Sequence, residues 1–189
     1  VLLEEEGLNP LPYESVRPQV SNGVMGIFKN IFEDSPKVGG RRFKRYLDIY
    51  EEHLGINAKT FPGIDEVISA IEGLGINWGI VTNKSKRFAK PLLRKLELLN
   101  RTACLVCGDT TSNLKPDPEP INYALSFLKT KNTKKSFYIG DSKKDIDAAK
   151  AAGISSIACT YGYIADDTEP KNWNADFYVG HALEILNVI

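Results

Sequence analysis

Cysteine and histidine are scarce in this chain. Three cysteines and two histidines occur in 189 residues, and an odd thiol count without framework spacing excludes a secreted disulfide scaffold and points to a reducing compartment. His53 and His181 have no acidic or cysteine neighbours in sequence, so both read as structural or exposed. Cys104 and Cys107 form a C-x-x-C, but it lies in the apolar run ACLVCGD. On a strand, positions three apart face opposite ways and make a poor metal or redox pair. Both read as core cysteines.

An excess of charge is lacking too. Lys+Arg and Asp+Glu number 24 each, so the formal net charge is zero and no overall basic field exists to hold a nucleic acid. No apolar run approaches the roughly 20 residues of a bilayer span, and nothing at the start resembles a signal peptide. The expected setting is cytoplasmic, with no membrane and no nucleic-acid partner. Repeats and low-complexity tracts are absent. The chain is 42% hydrophobic and 25% charged, too apolar for disorder and long enough for one domain with a small appendage. It opens at Val1 on LLEEEGL, which reads as the tail of a helix closed by Gly7.

The first sixty residues read as helical. Val24, Ile27, Phe28, Ile31 and Phe32 fall at helical spacing, and Phe43, Tyr46, Leu47, Tyr50 and Leu54 repeat it, with Gly39-Gly40 between. After Phe61-Pro62-Gly63 short apolar strands alternate with helices. Strands are expected at Trp78 to Val81, Cys104 to Cys107, Phe137 to Ile139, Ile154 to Cys159 and Phe177 to Val179, with a terminal helix from Ala182. That alternation predicts a parallel sheet covered on both faces, class α/β. The expected division is a helical unit over 1–60 and an α/β unit over 61–189. Tyr163 to Asn174 reads as an irregular surface loop with Trp173 as a packing anchor.

Ligands gather at the carboxyl ends of the strands in such sheets, and three polar punctuations fall there. Thr82-Asn83 follows Gly79-Ile80-Val81 and precedes a helix. Its hydroxyl and turn amides suit an anion, and Asn83 or Ser85 equally suits a helix N-cap. Lys115 precedes the proline-stiffened turn Pro116-Asp117-Pro118, which fixes where a cation leaves the backbone. Asp141 leaves a buried strand at Gly140, and Asp145 follows in the first helical turn. Hard oxygens at a strand tip suit Mg²⁺, and acids also favour a helix N-terminus without any metal.

Together, in the order Thr, Lys, Asp, these punctuations closely resemble the haloacid dehalogenase superfamily of phosphohydrolases. More narrowly they resemble its phosphoglycolate phosphatase-like group, which has a helical cap inserted after the first strand. The resemblance covers essentially the whole chain through GIVTNK, CGDTTSNLKPDPEP, FYIGDSKKDIDAAKAAG and the tail YGYIADD with Trp173. The cap segment PLPYESVRPQVSNG and that tail are most similar to phosphoglycolate phosphatase-like and N-acetylmuramic acid 6-phosphate phosphatase-like members. The resemblance implies a Rossmann-like parallel sheet with helices on both faces plus a small all-helical cap, and a Mg²⁺-dependent phosphatase acting on a small phosphorylated metabolite.

By the same resemblance Thr82 hydrogen-bonds the transferring phosphoryl group with Asn83 beside it. Lys115 neutralises the phosphate, Asp141 binds Mg²⁺, and Asp145 supports the metal or orients Lys115. Phosphoryl transfer is mostly positioning and charge neutralisation, which a hydroxyl, a cation and a metal supply. Substrate choice rests on the cap, where Arg17 is the better single candidate. Lys37, Arg41, Arg42, Lys44 and Arg45 occupy several helix faces and are expected to be mostly solvated.

The family's first motif, a strand ending in Asp-x-Asp-Gly-Thr, is not in these residues. The Asp-x-Asp that does occur, Asp145-Ile146-Asp147, belongs to an expected helix, and Glu4, Glu5 and Glu6 sit on a helix tail. The nucleophile and the acid-base aspartate are therefore absent, and the chain is expected to start just after the first core strand, as a truncated enzyme without covalent phosphatase activity of its own. The sheet is then expected to show a gap, a direct pairing of the strands ending at Thr82 and Asp141, or a borrowed strand. A non-catalytic phosphate- or partner-binding role on the same fold is the alternative. A two-component receiver domain also uses Asp, Thr and Lys at strand ends, but with its Asp residues first, and it has no helical cap.

Overall fold

The computed structural model describes residues 1–17, 23–32, 39–128, 135–164 and 169–189. It divides into two compact units, Val1–Ile56 with Tyr163–Thr168, and Asn57–Gly162 with Glu169–Ile189.

The first unit is helical: α1 (Leu2–Glu5), α2 (Tyr13–Val16), α3 (Gly23–Ile31) and α4 (Arg41–Glu52). Gly7, at φ +72°, ends the first turn of chain as the sequence predicts. Phe28 is fully buried and meets Phe32 at 5.2 Å and Tyr46 edge-on at 5.3 Å between ring centres, so the helical spacing of α3 and α4 is spent on one aromatic cluster. Of the basic cluster, Lys37 lies outside the described residues, Arg41 and Lys44 are exposed as expected, and Arg42 and Arg45 are half-buried. Arg41 and Arg42 each lie 2.6 Å from a different oxygen of Glu6, and Arg45 lies 2.7 Å from Glu5. Hydrogen bonds from Arg42 and Arg45 hold the Glu6 and Glu5 carboxyls below their ordinary range. The acidic helix tail at the start of the chain supplies these partners, which helix-face counting over α4 alone does not reveal.

The second unit alternates α5 (Ile64–Gly73), β1 (Gly79–Val81), α6 (Lys86–Lys95), β2 (Cys104–Val106), α7 (Glu119–Leu128), β3 (Phe137–Gly140), α8 (Lys143–Ala151), β4 (Ser155–Cys159) and β5 (Phe177–Val179). All strand pairings among the described residues are parallel, and they form two separate sheets, β1-β2 and β3-β4-β5. The fold class is α/β as expected. Of the three sheet arrangements foreseen, the described residues show a gap between β1 and β3.

Side chains tie the two sheets together where backbone does not. On one face Val81 of β1 and Tyr138 of β3 pack against the same buried group of Ile121, Ala148, Ala149 and Ile154. On the other, α5 bridges them, with Val67 in the cluster around Ile157 and Val179 and Ile68 in the cluster with Leu93 and Leu98. Ile139 is 41% exposed although its register partner Ile157 is fully buried, which marks the open seam at the edge of β3.

Two local differences from the sequence reading have simple causes. The terminal segment Ala182–Asn187 is a 3₁₀ helix, whose three-residue turn stacks the buried Ala182 and Ile185 on one line. His181 opens it, its Nδ1 accepting from the Leu183 N–H at 3.2 Å. Pro170–Trp173 also forms a 3₁₀ turn inside the expected loop, with Trp173 buried and packed beside α8. The three thiols are unbridged, Cys107 and Cys159 buried and Cys104 half-buried, and burial raises all three above the ordinary thiol range. Among the described residues no helix is long and apolar enough to cross a membrane.

Candidate active site

The carboxyl ends of β1 and β3 carry the candidate residues of the second unit. Thr82 continues the β1-β2 ladder, its N–H donating to the Val106 carbonyl at 2.9 Å. Its hydroxyl accepts from the Lys84 N–H at 3.1 Å, a local turn bond that orients the side chain at the strand tip. Ser85 stands at the N-cap position of α6, and the Lys86 N–H is capped from another loop by Asp109 at 2.9 Å.

Asn83 has a different use from capping. Its amide nitrogen donates to the Lys115 carbonyl at 2.9 Å and its amide oxygen accepts from the Lys115 N–H at 3.0 Å. This two-bond clamp reproduces a strand-like pairing with a side chain and joins two loops 32 residues apart in sequence. Gly108 makes the clamp possible, because a Cβ there would collide with the Asn83 carbonyl. The Lys115-Pro116 peptide bond is cis.

With its backbone fixed, Lys115 carries its ammonium inward. Nζ donates to Asp145 Oδ1 at 2.7 Å, to the Tyr138 hydroxyl at 2.7 Å and to the Val81 carbonyl at 3.0 Å. An ammonium has three donors, and all three are engaged. The other Asp145 oxygen accepts from the Ser142 N–H at 3.2 Å and the Ser142 hydroxyl at 2.8 Å, closing the first turn of α8 as a capping box. Both Asp145 oxygens therefore have partners within the protein. Gly140 lets α8 start this close to β3, since a Cβ there would strike the Asp145 carboxyl group.

Asp141 stands between Gly140 and Ser142 at the tip of β3. Gly162, in the loop after β4, lies against it so closely that a Cβ would overlap the carboxylate. Tyr138, on β3, reaches across the seam: its hydroxyl donates to the Val81 carbonyl at 3.0 Å and has a weaker 3.5 Å approach to Asp145. Burial, reinforced by the Asp145 charge, raises the Tyr138 phenol well above its ordinary range. It remains a proton donor.

Thr82, Asn83, Lys115, Asp141 and Asp145 thus all belong to the second unit, and the bonds above join Asn83, Lys115 and Asp145 in one network. Arg17 belongs to the first unit, where its guanidinium lies 5.3 Å from the centre of the Tyr163 ring. Sequence reasoning did not identify Tyr138, Gly108 or Gly162. A tyrosine in an otherwise apolar strand was the one available signal, because a buried hydroxyl needs a partner.

Chemically, the Thr82 hydroxyl and the Lys115 ammonium are groups that can bind and neutralise a phosphoryl group, while the Asp141 carboxylate can hold a cation. As to a metal, Asp141 offers hard oxygens, and no group of three His, Cys, Asp or Glu side chains able to hold an ion occurs among the described residues. One carboxylate is within what Mg²⁺ takes from a protein, since that ion keeps waters and binds one or two carboxylates with phosphate oxygens.

The family model that matches this chain, over residues 1–159, is haloacid dehalogenase-like hydrolase. The chain belongs to that family. It is 38% identical over 186 residues to the N-acetylmuramic acid 6-phosphate phosphatase of Pseudomonas aeruginosa, covering 97% of this chain and 81% of that protein. It is 35% identical over 179 residues to the phosphoglycolate phosphatase of Xanthomonas campestris, covering 94% and 80% respectively. A crystal structure of a predicted phosphoglycolate phosphatase from Haemophilus somnus superposes with a TM-score of 0.85 at 23% identity, covering 99% of this chain and 86% of that one, which supports the fold.

Proposed function

We propose that this chain is a cytoplasmic, Mg²⁺-dependent phosphomonoesterase of its family, whose substrate is a small phosphorylated metabolite, phosphoglycolate or a sugar phosphate such as N-acetylmuramic acid 6-phosphate. The observation that supports this most is the buried Lys115 ammonium, 2.7 Å from Asp145 and 3.0 Å from the Val81 carbonyl at the end of β1, a cation of the kind that neutralises phosphoryl oxygens. Thr82 contributes its hydroxyl to the same phosphate, and the Asn83 clamp sets the loop from which Lys115 projects. Asp145 orients Lys115. Asp141 contributes a carboxylate oxygen to Mg²⁺, which when bound neutralises charge on the phosphoryl oxygens. Arg17 is our candidate in the first unit for substrate choice. The names and extent of the two relatives support the substrate class.

The second reading, a phosphate- or partner-binding protein without turnover, is favoured by one observation. The 189 residues contain no Asp-x-Asp-Gly-Thr, so nothing in them supplies the nucleophile. We infer that these residues alone bind phosphate but do not hydrolyse its esters. An assay with p-nitrophenyl phosphate and Mg²⁺ on protein of verified mass tests this: no turnover is expected, and turnover abolished by Asp141→Ala contradicts it.

A further inference from the structure

Glu119 opens α7, and its carboxylate turns back toward the loop that leads in from β2. Oε2 accepts from the Asn113 N–H at 2.8 Å and Oε1 from the Ser112 N–H at 3.3 Å. One side chain thus ties two consecutive amides, and the stretch it encloses carries Lys115. A shorter pair of bonds closes the other side of that stretch. Asp117 Oδ1 accepts from the Glu119 N–H at 2.8 Å, and the Asp117 N–H donates to the Leu114 carbonyl at 2.9 Å.

The helix at the far end of this tie is set by the core, since Pro120, Ile121 and Ala124 of α7 are buried. The Asn83 clamp holds the Lys115 backbone at one point. A loop held at one point can swing about it, and a second tie to a packed helix removes that freedom. Lys115 reaches Asp145 at 2.7 Å, a distance that a small swing of its backbone lengthens.

The tie contributes more to placement than to stability. Ser112 and Asn113 are exposed, so water can satisfy their N–H groups when the carboxylate is removed. Water does not join them to α7.

We propose that Glu119 is a positioning residue for Lys115: through the Ser112 and Asn113 amides it fixes the loop from which the ammonium reaches Asp145, and so the place where that ammonium meets a phosphate oxygen. The phosphate part rests on the reading of Lys115 as a phosphate ligand. The hold on the loop does not.

The test uses the full 189-residue chain and two readouts. One is the Lys115 ¹³Cε resonance, assigned by its disappearance in Lys115→Met, and the other is the affinity for inorganic phosphate, followed by ³¹P line width. Glu119→Ala is expected to move the resonance and to weaken phosphate binding about tenfold, the order of a lost hydrogen bond to a charged group, with little change in the urea midpoint. Glu119→Gln keeps one acceptor oxygen and sets an amino group against the other N–H, so it is expected to fall between Glu119→Ala and the wild type in both readouts. In a Lys115→Met background Glu119→Ala has no further effect on phosphate. An unmoved Lys115 resonance overturns the proposal, and so does wild-type phosphate affinity in Glu119→Ala when Lys115→Met loses binding. If the resonance moves but the wild type binds no phosphate, or Lys115→Met binds it equally well, the hold on Lys115 stands and the phosphate reading of Lys115 falls. Glu119→Gln, the milder change, decides the same outcomes if Glu119→Ala does not fold.

Discussion

The Lys115 ammonium and the Asp145 carboxylate lie 2.7 Å apart, with side chains only 10% and 9% exposed. A pair this enclosed is costly to break one-sidedly. Asp145→Ala leaves a buried ammonium without its counter-ion and removes the Ser142 bonds that start α8, so a loss of about 3–5 kcal/mol in urea unfolding is expected. Lys115→Met leaves Asp145 with both Ser142 donors, and its loss is expected to be smaller. Equal losses in the two variants contradict this picture of the pair.

Tyr138 and Tyr161 both have phenols raised above the ordinary 10.0 by burial. The unfolded chain ionises near pH 10 while the native chain keeps these protons, so stability is fully present below that pH and falls as pH rises toward the native values. The slope is about 1.4 kcal/mol per pH unit for one such group. Tyr138→Phe is expected to flatten the alkaline limb of a stability-pH curve measured by denaturant unfolding. An unchanged limb contradicts the burial of this hydroxyl.

The acid limb has its own marker. Asp176 accepts from the Ser156 N–H and the Ser156 hydroxyl, each at 2.7 Å, and these bonds hold its carboxyl below the ordinary 3.8. That contribution is present above pH 4 and is lost as pH falls through the lowered native value. Ser156 is fully buried, and the pair joins β4 to the edge strand β5. Ser156→Ala is expected to cost about 1 kcal/mol at neutral pH and to shift acid unfolding to higher pH, both readable by circular dichroism.

Gly162 is predicted to be intolerant of even one methyl group. Gly162→Ala forces the Asp141 carboxylate or its own loop to move, with an overpacking cost of about 1–3 kcal/mol. A crystal structure of the variant is expected to show Asp141 displaced while the β3-β4 register, Ile139 opposite Ile157, is kept. An undisplaced Asp141 contradicts the tight packing.

Much of this was legible in the chain and part was not, for physical reasons. Strand-helix alternation after Phe61 marked the core because buried parallel strands are short continuous apolar runs. Thr82 and Asp141 stood out because polar residues immediately after such runs fall at strand tips, and Lys115 because it precedes a proline-stiffened turn. Tyr138 did not, since its partner Val81 is 57 residues away and a backbone carbonyl leaves no trace in a sequence. The same holds for Glu6, which meets Arg41 and Arg42 from 35 and 36 positions away. Gly162 was invisible because its spacing role depends on a contact with Asp141, not on a turn.

The most direct single measurement is a ³¹P spectrum of a phosphomonoester, N-acetylmuramic acid 6-phosphate or phosphoglycolate, mixed with the 189-residue chain and Mg²⁺ and followed over time. The expected result is a broadened ester signal that Lys115→Met sharpens again, with no inorganic phosphate accumulating. An ester signal indifferent to the protein, or inorganic phosphate that accumulates only while Asp141 is intact, contradicts it.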